Sequence, residues 1–212
     1  AYVDAYSRGG ALLTHTNRAR RELNHRMRRH LEIEGAPRAG EPLLVMKNEY
    51  AARGESGDGL YNGEVVSLID WLVRPDGPTQ VKDQDGKAHA LRFGLAVVGP
   101  ARDPVFLCED QLLGRTEVRD YFLSRGARFH YGHRPAVQAT WKQLWPDDGT
   151  TPPFLSAELG YALTCHKAQG SEWDEAWILL EPTVRVATEE GRRWLYTALT
   201  RARESACVTR SA

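Results

Sequence analysis

The densest group of reactive side chains lies in residues 161–180, "YALTCHKAQGSEWDEAWILL". An apolar run enters a set of small and polar residues (Thr164, His166, Lys167, Gln169, Gly170 and Glu172), and a second apolar run follows. Thr164 and His166 are short donors suited to phosphate oxygens. Gly170 permits a positive φ or a close backbone approach. Glu172 repels a phosphate, so it suits a sugar hydroxyl or the orientation of a neighbour. The alternative is a strand-to-helix turn whose polar side chains only cap backbone groups.

A second cluster is "RRWLYTALTRAR", with Arg192, Arg193, Arg201 and Arg203 on or just past one helix. Residues two apart do not share a helix face. One of Arg201 and Arg203 can therefore enter a cleft while the other packs or pairs at the surface. A guanidinium held toward a γ-phosphate is an arginine finger, worth ~10³ to 10⁵ in rate. The alternative is a solvated basic helix end favoured by the helix dipole. A third cluster, "HTNRARRELNHRMRR", crowds Arg18, Arg20, Arg21, Arg26, Arg28 and Arg29 onto one helix. The chain has 28 basic and 28 acidic residues, so this is its strongest local positive field. It reads either as a phosphate-backbone footprint or as a solvated polar face.

The elements that must position these residues follow from periodicity and punctuation. "ALLT" (11–14) is a short buried strand, and Thr16 or Asn17 caps a helix expected over 17–34, with Leu23, Met27 and Leu31 as its buried stripe. "PLLVM" (42–46) is the next strand. Short strands at 61–73, 79–83, 89–98 and 104–110, separated by Pro/Gly/Asp turns, suggest a small β-barrel. Helices are expected at 115–125 and 134–145, then a Pro- and Gly-rich linker at 146–153. The α/β pattern returns with strands near 159–163, 175–180 and 206–209 and a helix over 188–203. Buried apolar strands alternating with helices imply a parallel sheet covered on both faces, and ligands of such sheets gather at the carboxyl ends of the strands.

Composition sets limits. At 212 residues and 42% hydrophobic, the chain is globular, one domain or one domain with an insertion. No apolar run approaches the ~20 residues that span a bilayer, and no signal-peptide pattern opens the chain. Cys108, Cys165 and Cys207 form no CxxC pair, which disfavours a zinc site or disulfide framework and suits a cytoplasmic location. His130 and His133 have metal-ligand spacing but lack further Cys or His partners, so no metal site is assigned. Trp173, Trp177 and Trp194 are expected in the core; Trp71, Trp141 and Trp145 are candidates for stacking on bases.

"LTCHKAQGSEWD" followed by "RRWLYTALTRAR" resembles motifs V and VI of superfamily-1 DNA helicases of the RecD/Dda-like branch, which share a UvrD-like C-terminal region. "LLTHTNRARRELN" resembles the strand and helix opening that family's second RecA-like domain. "VMKNEY" and "LYNGEVVSL" resemble the stretch leading into its SH3-like insertion. The likeness covers about residues 11–73 and 154–210; residues 74–153 match only in kind.

The resemblance implies an α/β fold: a RecA-like parallel sheet with helices on both faces (domain 2A, residues 1–60 and 154–212). An SH3-like β-barrel (domain 2B, 61–113) and a helical extension with linker (114–153) interrupt it. It implies that Arg201 is the finger on the γ-phosphate, that Gln169, Gly170 and Glu172 bind nucleotide, with Glu172 on the ribose, and that Thr16, Asn17, Arg18, Thr164 and His166 face single-stranded DNA. Arg193 and Tyr196 would be supports. The sequence contains no G-x-x-x-x-G-K-[ST] motif, and its one Gly-Lys pair, Gly86-Lys87, precedes Ala88. "VFLCEDQ" (105–111) imitates a Walker B strand but lies among the barrel strands.

The expected function is thus the C-terminal motor domain of an ATP-dependent DNA helicase. ATP with Mg2+ would be held mainly by an N-terminal RecA-like domain 1A that supplies the Mg2+ ligands, and the segment would be inactive by itself. A protein partner could dock on the insertion; no membrane partner is expected. The rival reading is a helicase-derived nucleic-acid or protein binding module without an ATPase role.

Overall fold

The structure, a computed structural model, describes residues 2–50, 59–73, 77–82, 86–99, 104–115, 118, 142 and 152–210. In chain order the elements are α1 (Tyr2–Ser7), β1 (Ala11–Thr14), α2 (Asn17–His30), β2 (Pro42–Val45), β3 (Val65–Val73), β4 (Thr79–Lys82), β5 (Ala88–Leu91) and β6 (Phe93–Gly99). There follow β7 (Val105–Cys108), α3 (Glu109–Leu112), β8 (Ala157–Leu159), β9 (Leu163–Thr164), β10 (Trp173–Leu180), α4 (Glu189–Leu199) and β11 (Ala202–Arg210). They form two compact units, residues 1–34 with 159–212, and residues 35–158.

The first unit is built on a four-stranded parallel sheet in the order β11-β10-β1-β9. Leu13 lies level with Ile178 on one side and Leu163 on the other. Every residue of β1 is buried, as the apolar run Ala11–Leu13 requires, and the Thr14 hydroxyl donates to Leu163 O at 3.3 Å. The expected covering of both faces does not extend to β11, most of whose residues are exposed. Between β10 and β11, α4 is the helix that lets neighbouring strands run parallel. Its cap Thr188 accepts the Gly191 N–H at 3.2 Å.

Helix α2 stops at His30 rather than 34, because Glu32 turns to φ 54 and Gly35 to φ 70. Its buried face also differs from the expected stripe. Leu31 is 40% exposed, and the helix instead buries Arg20, Asn24, Met27 and Arg28. The polar face has a partner: Asn24 Nδ2 donates to Leu159 O and its Oδ1 accepts from Ala162 N–H, both at 2.8 Å. Buried backbone ends need such bonds, which an all-apolar stripe cannot supply.

The second unit carries a five-stranded sheet, β7-β6-β3-β2-β8, and the antiparallel ribbon β4-β5. Because β2 pairs antiparallel with β3, residues 35–50 belong to this unit, not to the α/β part where the sequence reading placed them. The run 89–98 is two strands, because the Arg92 N–H between β5 and β6 leaves the ladder for Asp110 Oδ2 at 2.6 Å. Asp110 is buried and also receives Arg115 Nη1 at 2.7 Å. It is a structural carboxylate that ties α3 to the sheet, not a Walker B acid. Phe93 and Phe106 stack at 5.3 Å in the local core with Val81, Leu91 and Cys108.

Trp71 is engaged within this unit. Its indole N–H donates to Pro37 O at 2.8 Å, and its ring lies so close to Gly94 that a Cβ there would meet it at 2.5 Å. Trp173, Trp177 and Trp194 are half-buried rather than core residues. His130, His133, Trp141, Trp145 and nearly all of the two expected helices lie outside the described residues. Among the described residues, no helix is long and apolar enough to cross a membrane.

Candidate functional site

Strand direction sorts the candidate residues into two groups. All four strands of the first unit run parallel. Residues that follow β1, β9 and β10 therefore lie at the carboxyl edge of the sheet, and residues that precede β10 and β11 lie at its amino edge. Thr16, Asn17, Arg18, Thr164 and His166 belong to the carboxyl edge. Gly170, Glu172 and Arg201 belong to the amino edge. The polar stretch 164–172 thus does not sit at a single strand end. It is a crossover, and Gln169 lies on the turn between its two ends.

At the amino edge, β10 and β11 begin side by side, with Trp173 level with Ala202 and the Trp173 N–H donating to Arg201 O at 2.9 Å. That bond places the Arg201 backbone beside the turn. The Arg201 side chain is half-buried and folds back over the same turn. Nη1 donates to Ser171 O at 3.3 Å, Nε to Thr197 O at 3.2 Å and Nη2 to the Thr200 hydroxyl at 3.3 Å. All three acceptors are neutral, and among the described residues no carboxylate pairs with Arg201. The guanidinium is held in place with its charge uncompensated. Burial pushes the Cys165 thiol pKa up, and the charge of Arg201 partly offsets that push.

Gly170 has φ +89, and a Cβ there would meet nothing within 4 Å. The glycine is needed for the left-handed turn, not for want of space. Gln169, Gly170, Ser171 and Glu172 are all exposed. Glu172 Oε2 accepts from Arg203 Nε at 3.3 Å, and Arg203 Nη1 also lies 3.9 Å from Asp174. The sequence reading saw Arg203 as a possible surface pair but not its partner; the signal was the acidic pair Glu172 and Asp174 around the start of β10. An uncompensated cation, a glycine turn and an exposed carboxylate fit a polyanion that also carries hydroxyl groups.

At the carboxyl edge the two threonines are occupied. Thr164 is buried, and its hydroxyl accepts from Lys167 N–H at 3.4 Å. The Thr16 hydroxyl donates to Glu181 Oε2 at 2.6 Å while accepting from Ala19 N–H at 3.1 Å. Glu181, which sequence reasoning missed, is the buried hub of this edge. A single Glu closing an apolar strand was its signal. Asn17, Arg18 and His166 are exposed. Arg20 and Arg28 are buried, so the basic face of α2 is carried by Arg18, Arg21, Arg26 and Arg29. Of the expected supports, Arg193 pairs with Glu189 at 2.6 Å and Tyr196 is 70% exposed, so neither packs beneath the site.

Comparison with known proteins gives a family match within the first unit. Residues 159–209 match the model of the UvrD-like helicase C-terminal domain. No curated protein matches the chain. Among solved structures it is similar to Pif1 helicase from Candida albicans (17% identity over 94% of this chain and 44% of that one, TM-score 0.42). It is also similar to Pif1 helicase from Bacteroides in complex with ADP-AlF3 and ssDNA (13% identity, 95% and 40%, TM-score 0.42). A third is unliganded Pif1 from Bacteroides sp (12% identity, 100% and 42%, TM-score 0.38). The chain spans less than half the length of each of these structures.

Proposed function

We propose, from the premise that residues 159–209 are a UvrD-like helicase C-terminal domain, that this chain is the C-terminal motor part of an ATP-dependent DNA helicase. ATP with Mg2+ would bind between this part and a RecA-like domain 1A bearing the phosphate-binding loop. Closure would bring Arg201 to the γ-phosphate, where a fixed cation stabilises charge that develops in the transition state. Gln169 and Gly170 would line the nucleotide, and Glu172 would accept a ribose hydroxyl. At the opposite edge Asn17, Arg18 and His166 would contact single-stranded DNA, with Thr16 and Thr164 positioning the turns that carry them. The insertion 61–113, rich in short antiparallel strands, would be the SH3-like element. Opposite edges for nucleotide and strand suit a motor, because closure at one edge moves the grip at the other.

The observation that carries this reading is the guanidinium of Arg201, held beside the Gly170 turn by neutral acceptors alone. The test uses the intact polypeptide that contains this segment. Arg201→Ala leaves ATP affinity within about threefold and lowers DNA-stimulated hydrolysis by ~10³ or more. Arg201→Lys keeps the charge but loses the fork, and restores only a minor part of the rate. Hydrolysis at the parental rate in Arg201→Ala overturns the assignment. If the polypeptide carries no phosphate-binding loop, the binding-module reading replaces it.

A further inference from the structure

The geometry points to Arg203 as a positioning residue for ribose recognition, acting through Glu172; this rests on the nucleotide reading above. Glu172 immediately precedes β10 and Asp174 is its second residue, beside the irregularity in the β10–β11 register between Trp173 and Glu175. The Arg203 guanidinium bridges them from β11, at 3.3 Å to Glu172 Oε2 and 3.9 Å to Asp174 Oδ1. One oxygen of Glu172 is thus tied, while Oε1 accepts no hydrogen bond among the described residues. A carboxylate fixed through one oxygen presents the other as an oriented acceptor, which is what a sugar hydroxyl requires.

The pair joins the two strands next to their first contact, where the Arg201 backbone also anchors. Glu172 and Arg201 are therefore placed by one corner of the sheet. Side-chain exposures of 62% and 51% make the Arg203–Glu172 bond weak as a source of stability, so orientation is its useful consequence. Arg203 also neutralises one of two carboxylates beside a site meant for a triphosphate, and the test must separate that effect from orientation.

The experiment measures binding of ADP, 2′-deoxy-ADP and 3′-deoxy-ADP to the intact polypeptide by calorimetry, with ATP turnover alongside. In the parent protein one deoxynucleotide binds about tenfold more weakly than ADP, the loss of one hydrogen bond to a charged acceptor. Glu172→Ala removes that preference. Arg203→Ala shrinks it to about threefold or less, raises KM for ATP and leaves kcat within about twofold, and Arg203→Lys recovers part of it. Equal weakening of all three nucleotides in Arg203→Ala overturns the proposal and assigns Arg203 a purely electrostatic role. An undiminished preference in Arg203→Ala also overturns it. If Glu172→Ala keeps the parental preference, the ribose reading of Glu172 fails, and that of Arg203 with it.

Discussion

The carboxylate of Glu181 accepts both the backbone N–H and the hydroxyl of Thr16, at 2.9 and 2.6 Å, and the His15 N–H at 2.6 Å. Three donors converge on a group that is 7% exposed. The end of β10 thereby fixes the start of α2, and with it the direction in which Asn17 and Arg18 emerge. Leaving a buried donor unsatisfied costs ~1 to 3 kcal/mol. Glu181→Ala strands several and lowers stability by on the order of 3 kcal/mol, read as a fall in denaturant midpoint. Glu181→Gln loses less, because one oxygen still accepts. A midpoint unchanged in Glu181→Ala would show that water replaces the carboxylate.

Two glycines separate two kinds of constraint. A Cβ at Gly191 would stand 2.0 Å from Arg185 O, and backbone cannot step aside cheaply. Gly191→Ala therefore unseats the first turn of α4 and lowers the melting temperature steeply. Gly170 has open space but φ +89, so Gly170→Ala meets only the left-handed penalty, ~1 to 2 kcal/mol. The order of the two melting temperatures, Gly191→Ala below Gly170→Ala, is the check; the reverse order refutes the steric account.

Strand β1 was legible to the residue, because three apolar residues and Thr14 between Gly10 and the Thr16 cap leave one solution. The arginine cluster at Arg201 and the turn at Gly170 were legible for the same reason: residue types and spacing carried them. The pairing of β2 was not. An apolar strand reads the same beside β1 or beside β3, and only the antiparallel register Leu43 to Val66 decides it. Nor could a helical wheel show that α2 buries Asn24, since the reason lies in backbone groups at Leu159 and Ala162, far along the chain. Glu181 was missed because its three donors belong to a turn 165 residues earlier.

Two titrating groups in the second unit, Lys47 partly buried and Cys108 fully buried, give opposite alkaline slopes. Partial burial lowers the Lys47 pKa from 10.5 to about 8. Between those values the unfolded chain binds more protons than the folded one, so this lysine makes stability rise with pH. Burial pushes the Cys108 thiol from 9.0 to about 12. Above pH 9 the unfolded thiol loses its proton first, so Cys108 makes stability fall as pH rises. Lys47→Met therefore flattens the rise between pH 8 and 10, and Cys108→Ala flattens the decline above pH 9. Denaturant titrations at stepped pH read both, and a parental profile in either variant refutes its assignment.

The basic face of α2 supplies the last prediction. Arg18 is exposed and Arg21 half-exposed, whereas Arg20 is fully buried with Nε 3.4 Å from Asn17 Oδ1. Only the first two can approach a phosphate without the helix moving. Each phosphate contact on a single strand releases counterions and contributes ~0.7 to the slope of log affinity against log salt. Replacing both Arg18 and Arg21 with Gln should lower that slope by about 1.4 and weaken binding at low salt, while melting temperature holds. Arg20→Gln should do the reverse, costing stability through its buried site and leaving the slope alone. Fluorescence anisotropy with an oligothymidylate at several salt concentrations measures the slope. An unchanged slope in the double variant moves the strand off this helix, and a slope lost in Arg20→Gln at full stability means that the buried arginine turns outward to bind.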